Sequence, residues 1–476
     1  MTVIDLYPMQ IKKLFFILVL TLILPVMGMG QAMEIKVDLK EAAGQEVYLA
    51  HYYSGNIYAK DTVLLDSRGT GIFHADSLLP QGLYKIYRDE NAHFDFLLGT
   101  DQQFILRNES FIAENVSVSG ADETEAFVRY SAFLKNLQKR NSEIRKSLQG
   151  SETGEKEKLF NELNDLTNQL YAYWEKLEND FPGSFLAKFV KATHVPALDI
   201  SSLPREVKEN DSLLLIARFY YQRAHFWDNF DYKDERLLYT PFYKNKLETW
   251  FTNVLYQHYD SISPEVIKFI EEVKHNRRIF QFAASFFLNS SINSNIMGMD
   301  ALFVDLARKY YLSGEAFWAT EEALAKIREN VLFFENNLIG KQAPDLTLEG
   351  FDGQYHNLNQ IDAKYTLVVI YEPGCSHCKV FVPQLYNEVY VPFRNKGLEV
   401  FAIYSMDNKE EWEKFLNEHE LHDWLNVWDE HHVSRFKILY DARTTPGIFL
   451  LDENKKILAK KMTVEQVRLF MQGQLQ

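Results

Sequence analysis

The sequence predicts a multidomain fold in which a β-sandwich-like domain and an all-α domain precede a C-terminal α/β domain. Three successive hydrophobic patterns predict this order. Short alternating segments fill 31–119, apolar residues at helical spacing fill 120–337, and continuous apolar runs alternate with helical segments over 338–476. A chain of 476 residues is long enough for about three domains of ordinary size.

Residues 1–30 carry the pattern of a secretory signal peptide. Lys12 and Lys13 precede the apolar run Leu14–Leu24, and a proline and small residues follow it. A membrane-spanning helix needs about 20 apolar residues, so this shorter run indicates a signal that is cleaved near Gly30. An uncleaved N-terminal anchor is the alternative. Both interpretations predict export, with the periplasm as the destination, where a lone cysteine pair tends to be oxidised.

Composition and charge exclude one class of partner. Apolar residues make up 46% and charged residues 25% of the chain, as in an ordinary globular protein. The formal net charge of −15 argues against nucleic acid, because binding to phosphates needs an excess of Lys and Arg. The only cysteines, Cys375 and Cys378, fall within one four-residue stretch. Such a pair can be half of a metal site, a structural crosslink or a reversible disulfide.

Residues 31–119 are predicted to form a small antiparallel sandwich. Segments such as QEVYLAHYY and GLYKIYR alternate between apolar and polar residues, and turn signals such as Ser54-Gly55 separate them. This spacing is typical of β-sandwiches. No cluster of catalytic side chains is visible in the sequence of this region, so we expect a structural or docking role.

Residues 120–337 are predicted to be helical. Two runs with apolar residues at helical spacing flank QGSETG and predict a helical hairpin, and the same spacing continues to EEALAKIRENVLFFENNL. A metal site could be drawn from four neighbouring side chains: His225, Asp228, Asp231 and Asp234. We favour a polar rim around the buried aromatic residues Phe226, Trp227 and Phe230.

Residues 338–476 are predicted to form the α/β domain. APDLTLEGFDGQYHNL indicates a hairpin, and Tyr365–Tyr371 is a nearly continuous apolar run, as expected of a central strand buried on both faces. A helix, the strand GLEVFAIYSM, a second helix, the hairpin GIFLLDENKKILAKKM and a closing helix follow. This order predicts a right-handed parallel crossover with an antiparallel edge.

The cysteine pair lies where the central strand turns into a helix. The free N–H groups and the positive end of that helix favour an anion, so the thiolate of Cys375 should be stabilised and exposed at the helix tip. Cys378, one turn further, should be shielded, and two intervening residues let the sulfurs reach bonding distance. A protonated His377 between them would stabilise the thiolate further.

The segment EPGCSHCKVFVP, with its leading hairpin, Pro383 in the helix and Thr445-Pro446 before a strand, resembles the thioredoxin fold. Over about 338–476 it is similar to the TlpA/ResA branch of extracytoplasmic thiol–disulfide oxidoreductases. The preceding residues are similar to accessory domains that have no settled function. The resemblance implies that Pro383 kinks the active-site helix and that Pro446 is a cis-proline beside the cysteine pair.

The resemblance also implies the reaction and its partners. Cys375 would attack a substrate disulfide and Cys378 would release the reduced product, leaving a redox-active Cys375–Cys378 disulfide and no other cofactor. Ser376 and His377 would support the site, and Thr445 would offer backbone hydrogen bonds to a substrate strand. The implied partners are disulfide-bearing or dithiol client proteins and a membrane-bound or periplasmic electron donor.

Several positions depart from the family pattern. Val369 stands where thioredoxins bury an acidic residue, and Phe381 stands where ResA-like proteins often carry Glu. The sequence therefore names no proton acceptor for Cys378; Glu372 is near in sequence, with a solvent-facing position as the alternative. His377 resembles the residue found in the more oxidising members, so the direction of electron flow stays open.

Three rival functions use the same residues. A metal site could combine the cysteines with His419 and His422, although these histidines follow an amphipathic helix, where exposed His is common. A peroxidase of the peroxiredoxin type requires Pro and Thr at the positions of Val368 and Glu372, so this function is disfavoured. An extracytoplasmic binding or scaffold protein could use the pair as a static crosslink, but so short a loop constrains the unfolded chain little.

Overall fold

The structure is a computed structural model that describes residues 32–149 and 153–475. The signal peptide predicted for residues 1–30 lies outside these residues. In the described part of the chain, no helix is long and apolar enough to cross a membrane. Strands, then helices, then a sheet with helices follow one another, as the sequence predicts. The predicted domain limits at 119/120 and 337/338 fall in connections between elements.

The strands of the N-terminal unit are β1 (Met33–Asp38), β2 (Glu46–Tyr53), β3 (Asn56–Leu64), β4 (Thr70–Ala75), β5 (Gly82–Asp89), β6 (Ala92–Leu98), β7 (Gln103–Arg107) and β8 (Ser117–Ser119). They make two sheets, with strand orders β4-β1-β7-β8 and β3-β2-β5-β6. Alternate residues, such as Val47 and Leu49 of β2, are buried in the core of this unit, which explains the alternation of the sequence. The sandwich-like character of this unit is confirmed.

One pairing differs from the predicted antiparallel arrangement. β1 and β7 run parallel, with Ile35 opposite Phe104, whereas β1 and β4 are antiparallel. The chain crosses to the other sheet through β5 and β6 before it returns, so β7 reaches β1 in the same direction. Local alternation does not distinguish the two directions, because side chains alternate in both kinds of sheet.

The helices of the middle unit are α1 (Asp122–Leu148), α2 (Thr153–Asp180), α3 (Phe185–Thr193), α4 (Arg205–Lys208), α5 (Asp211–Ala224), α6 (Phe242–Thr249), α7 (Tyr259–Val273), α8 (Arg277–Ile292), α9 (Met299–Leu306) and α10 (Glu321–Phe334). The contact between α1 and α2 confirms the predicted hairpin. Ser184 and Thr320 cap α3 and α10 by accepting a hydrogen bond from the first turn. The core is aromatic: the ring centre of Phe269 lies 5.5 Å from that of Trp227 and 5.8 Å from that of Phe287.

The C-terminal unit contains β9 (Thr347–Gly350), β10 (Tyr355–Asn357), β11 (Tyr365–Tyr371), α11 (Ser376–Leu385), α12 (Val391–Phe393), β12 (Leu398–Tyr404), α13 (Lys409–Glu418), β13 (Leu425–Trp428), α14 (Phe436–Leu439), β14 (Gly447–Asp452), β15 (Ile457–Lys460) and α15 (Val464–Gln474). One sheet has the order β10-β9-β13-β12-β11-β14-β15, with β13, β12 and β11 parallel and the outer pairs antiparallel. The predicted parallel crossover and antiparallel edge are confirmed. The strand β13 is not among the elements predicted from the sequence, because four residues are too few for a recognisable alternation.

The central strand β11 is buried along its whole length, because both faces of the sheet are covered. Leu367 and Val369 belong to the core on one face, and Val368 and Ile370 belong to the core on the other. This arrangement explains the continuous apolar run in the sequence. The strand is therefore a rigid base for the cysteine pair that follows it.

A buried ion pair joins the middle and C-terminal units. Lys460, at the end of β15, is 3% exposed, pairs with Asp300 and donates a hydrogen bond to Asn337 Oδ1 at 2.7 Å. Asn337 in turn donates from Nδ2 to the Leu439 carbonyl oxygen at 2.9 Å. Burial lowers the pKa of Lys460, and the Asp300 carboxylate opposes that shift. Polar groups that are largely removed from water thus connect the two units.

Replacing Asp300 with Asn should destabilise the protein, because it leaves the Lys460 ammonium buried without a counter-charge. Breaking one side of a buried ion pair lowers the free energy of unfolding by about 3–5 kcal/mol. Urea unfolding followed by tryptophan fluorescence measures this loss. Glu322→Gln removes the exposed partner of Lys326 and is the control, with no expected change in midpoint. Equal midpoints for the two variants would contradict the structural role of Lys460.

Candidate redox site

Cys375 occupies the residue that precedes the first turn of α11. Its N–H donates to the Glu372 carbonyl oxygen at 3.1 Å, and its own carbonyl oxygen accepts the N–H of Lys379 at 3.2 Å. The Cys375 backbone is extended, with φ −76° and ψ 126°. This is the geometry of a helix N-cap, whose side chain lies beside N–H groups that have no partner within the helix. The predicted place of the pair, at the turn from strand to helix, is confirmed.

The two thiols differ in exposure, as the sequence predicts. Cys375 is partly exposed, whereas Cys378 is fully buried in the core between β11 and the helices on one face of the sheet. Both cysteines are free thiols in the structure. The structure therefore describes the dithiol form, and the Cys375–Cys378 disulfide stays a prediction for the oxidised form.

The pKa of Cys375 is lowered from its ordinary value. Partial burial opposes ionisation, but hydrogen bonds from the Cys378 N–H, the Thr445 side chain, the Cys378 thiol and the His377 N–H stabilise the thiolate and outweigh burial. Two of these donors are N–H groups of the first helical turn. The stabilisation of the thiolate by the helix start thus agrees with the expectation from the sequence.

The pKa of Cys378 shifts in the opposite direction. Burial raises it to about 11, although the Glu372 backbone and the Thr445 side chain act to lower it, and a charge on Cys375 adds to the rise. At neutral pH Cys375 is therefore the thiol that ionises first, while Cys378 keeps its proton. The site combines an accessible nucleophile with a buried, protonated thiol.

The loop before β14 places Thr445 and Pro446 against the sulfurs. The Thr445–Pro446 peptide bond is cis, and Cys375 Sγ donates to the Thr445 carbonyl oxygen at 3.5 Å. Both features agree with the resemblance. The Thr445 side chain, which has no role predicted from the sequence, acts to lower the pKa of both cysteines. A hydroxyl residue directly before the cis-proline is the sequence signal for this role.

The side chains of Ser376 and His377 are exposed. Among the described residues, no hydrogen bond or ion pair joins either side chain to a cysteine sulfur. His377 contributes its backbone N–H instead. A role for a protonated His377 imidazole therefore stays a prediction, as does substrate contact by either side chain.

Glu372 lies beside the loop that precedes the helix. A Cβ placed on Gly374 would be 3.4 Å from Glu372 Oε1 and 3.8 Å from Glu411 Oε1. In the described chain no hydrogen bond joins the Glu372 carboxylate to Cys378. A second carboxylate, that of Glu411, thus shares this loop, and proton acceptance by Glu372 stays a prediction.

Tyr371, the last residue of β11, is a polar neighbour of Cys378 that the sequence analysis does not single out. Its buried hydroxyl accepts a hydrogen bond from Trp412 Nε1 at 2.8 Å. Burial, and in smaller part the charge of Cys378, raises the pKa of Tyr371. The hydroxyl therefore stays protonated beside the buried thiol.

The residues that could form the rival metal sites contact other side chains instead. His422 Nε2 lies 3.0 Å from Asn417 Oδ1, and the ring centre of His419 lies 4.6 Å from that of Phe415. The acidic residues of the middle unit have separate partners: Asp228 contacts His225, Asp231 pairs with Lys188 and Asp234 pairs with Arg236. Within 32–149 and 153–475, no group of three or more His, Cys, Asp or Glu side chains is placed to hold a metal ion.

Side chains of the middle unit contact the loop that contains Thr445. Arg443, two residues earlier, donates a hydrogen bond to Asn330 Oδ1 at 2.8 Å. Its guanidinium carbon lies 4.2 Å from the ring centre of Phe333 and 5.3 Å from that of Phe334. These three partners belong to α10, so the end of that helix fixes the start of the loop beside the sulfurs. Sequence reasoning misses this contact because Asn330 and Arg443 are 113 positions apart.

Comparison with known proteins identifies relatives of the C-terminal unit. Residues 339–460 match the AhpC/TSA family. The thiol-disulfide oxidoreductase ResA of Bacillus cereus is 24% identical over 144 residues, which are 30% of this chain and 79% of that protein. The ResA of Bacillus anthracis is 24% identical over 143 residues, again 30% of this chain and 79% of that protein.

Two solved structures show the same kind of similarity. A thioredoxin-like protein from Bacteroides caccae is 21% identical and covers 59% of this chain and 97% of its own, with a TM-score of 0.45. The thioredoxin domain of a thiol-disulfide oxidoreductase from Bacteroides vulgatus is 27% identical and covers 29% of this chain and 98% of its own, with a TM-score of 0.27.

The sheet order and the cysteine pair at the start of α11 define the C-terminal unit as a thioredoxin-fold domain. Within that class it is a TlpA/ResA-like domain, related at low identity to the thiol–disulfide oxidoreductases. The residues that match the AhpC/TSA family, 339–460, all lie in this unit, so that match assigns nothing to the two preceding units.

Replacing Thr445 with Val should raise the pKa of Cys375, because the side chain keeps its shape but loses the hydroxyl that stabilises the thiolate. The hydroxyl acts to lower the pKa of Cys375, so its removal should move that pKa upward. The rate of alkylation of Cys375 by iodoacetamide, measured against pH, reports this pKa. The rate increases as the thiol ionises, so a higher pKa moves the profile to higher pH.

Thr445→Ser is the matched control, since serine keeps the hydroxyl. Its alkylation profile should coincide with that of the unchanged protein, while Cys378 stays protonated and unreactive over the same range. Coinciding profiles for the Val and Ser variants would show that the hydroxyl does not stabilise the thiolate.

Proposed function

We propose that the protein is an exported thiol–disulfide oxidoreductase that exchanges disulfides with client proteins through Cys375 and Cys378. The observation that carries the proposal is the opposite effect of the site on its two thiols, which lowers the pKa of Cys375 while burial raises that of Cys378 to about 11. The similarity of residues 339–460 to the AhpC/TSA family, and of the C-terminal part of the chain to ResA, supports the same class of reaction.

In the reducing direction, the Cys375 thiolate attacks one sulfur of a client disulfide. The client S–S bond breaks, a mixed disulfide forms between Cys375 and the client, and the released client thiolate takes a proton from water. Cys378 then loses its proton to water and attacks Cys375 Sγ. The mixed disulfide breaks, the Cys375–Cys378 disulfide forms, and the second client thiolate leaves, so two electrons pass to the client. The cysteine pair is the redox group, and no further cofactor takes part.

The neighbouring residues have separate roles in this scheme. The Thr445 side chain stabilises the thiolate, and its backbone pairs with an extended segment of the client. Ser376 and His377, exposed beside the reactive sulfur, contact the client. The oxidised pair is returned to the dithiol by a membrane-bound or periplasmic electron donor.

The direction of electron flow follows from the standard potential of the pair. A potential near that of thioredoxin, about −270 mV, makes the protein a reductase, and a potential near about −120 mV makes it an oxidant. Equilibration in glutathione buffers, followed by mass spectrometry of trapped thiols, measures the potential of the full exported chain.

Cys378→Ser should trap clients on Cys375, because the sulfur that releases them is absent. Mixed disulfides should accumulate on the variant in cells and separate on non-reducing gels, and dithiothreitol should release them. The variant that also carries Cys375→Ser is the matched control and should trap nothing. Equal recovery from both variants would contradict exchange chemistry and favour a binding or scaffold protein with a static cysteine pair.

A further inference from the structure

A cavity in the middle unit is lined by a lysine, Lys246, that pairs with none of the described residues. It lies between the end of α3, the end of α5 and α6, and its volume is about 390 Å³. Small-molecule sites usually measure about 300–1,000 Å³ and are mostly apolar, with a few fixed polar groups. Phe226, Phe230 and Phe242 form an apolar wall here, which we call the phenylalanine wall, and Lys246 supplies a charge.

The Lys246 ammonium lies against this wall. It is 4.1 Å from the ring centre of Phe226 and 6.0 Å from that of Phe230. In the part of the chain that the structure describes, Lys246 forms no ion pair and donates no hydrogen bond. An ammonium has three N–H donors, and the Lys246 side chain is half-buried, so these donors are open to an acceptor that enters the cavity. The aromatic faces compensate part of the charge, and none of the described residues supplies an acceptor to the donors.

The acidic residues in the neighbouring segment do not neutralise Lys246. Asp231 pairs with Lys188 at 2.7 Å and Asp234 with Arg236 at 2.6 Å, and Asp228 Oδ2 lies 2.6 Å from Nδ1 of His225, which also lines the cavity. Burial also lowers the pKa of Lys246, as expected for a charge without a partner. One positive charge is therefore left uncompensated at the cavity.

We propose that this cavity binds a small organic monocarboxylate, with the carboxylate paired to Lys246 and the apolar body against the phenylalanine wall. One negative charge matches the one unpaired cation, whereas a dicarboxylate or a phosphate would need a second. Thr193 and Asn245, which also line the cavity, are neutral groups that can complete the hydrogen bonds of the carboxylate. The lining residues all belong to the middle unit, so the proposal does not rest on the redox function.

Calorimetric titration of the full exported chain with octanoate, octan-1-ol and acetate tests the proposal. Octanoate should bind with a stoichiometry of one. Octanol and acetate should each bind at least about tenfold more weakly, because octanol lacks the carboxylate and acetate lacks the apolar chain. Lys246→Met keeps the apolar stem but removes the charge, and should lower the affinity for octanoate by a similar factor. Lys326→Met, which removes an exposed lysine paired with Glu322, is the control and should bind octanoate like the unchanged protein.

Chemical protection tests the same contact in the unchanged protein, where folding of a variant is not in question. Octanoate should slow the acetylation of Lys246 by an N-hydroxysuccinimide ester, measured by mass spectrometry, and should leave Lys326 unaffected. The proposal is overturned if octanoate does not bind, if octanol binds as tightly as octanoate, or if octanoate leaves the acetylation of Lys246 unchanged.

Discussion

The chemistry of the site depends on one difference between two sulfur atoms that are one helical turn apart. Cys375 occupies the N-cap position of α11, where the backbone N–H groups of His377 and Cys378 favour its thiolate, whereas Cys378 lies in the core beside β11. The first environment favours a thiolate and the second favours a thiol. The fully buried strand keeps both environments in place, because its covered faces fix the point at which the helix begins.

The middle unit contributes to this site through contacts with the C-terminal unit. Lys460 is buried against Asp300, and Arg443 is held by the end of α10 two residues before Thr445. Thr445 in turn accepts a hydrogen bond from Cys375 Sγ at its carbonyl oxygen, and its side chain acts to lower the pKa of both cysteines. The helices are thus part of the scaffold of the redox loop, in addition to forming a cavity of their own.

Elements that are determined by the hydrophobic pattern of neighbouring residues could be predicted from the sequence. Elements that depend on contacts between residues far apart in the chain could not. The run Tyr365–Tyr371 and the position of Cys375 follow from neighbouring residues, and the thioredoxin resemblance implied the cis bond at Pro446. Three features depend on residues far apart in sequence: the parallel pairing of β1 with β7, the pairing of the short strand β13, and the hydrogen bond from Arg443 to Asn330. His377 shows a further limit. Its residue type suggests that a protonated imidazole stabilises the Cys375 thiolate, whereas in the structure its backbone N–H acts to lower the pKa of Cys375.

The most direct test of this account is a pH titration of the thiolate ultraviolet absorbance of the full exported chain in its dithiol form. A first ionisation should occur below the ordinary thiol pKa and be absent from Cys375→Ser, and a second, near 11, should belong to Cys378. Two thiols that titrate together at the ordinary value, or a low first step that survives in Cys375→Ser, would contradict it.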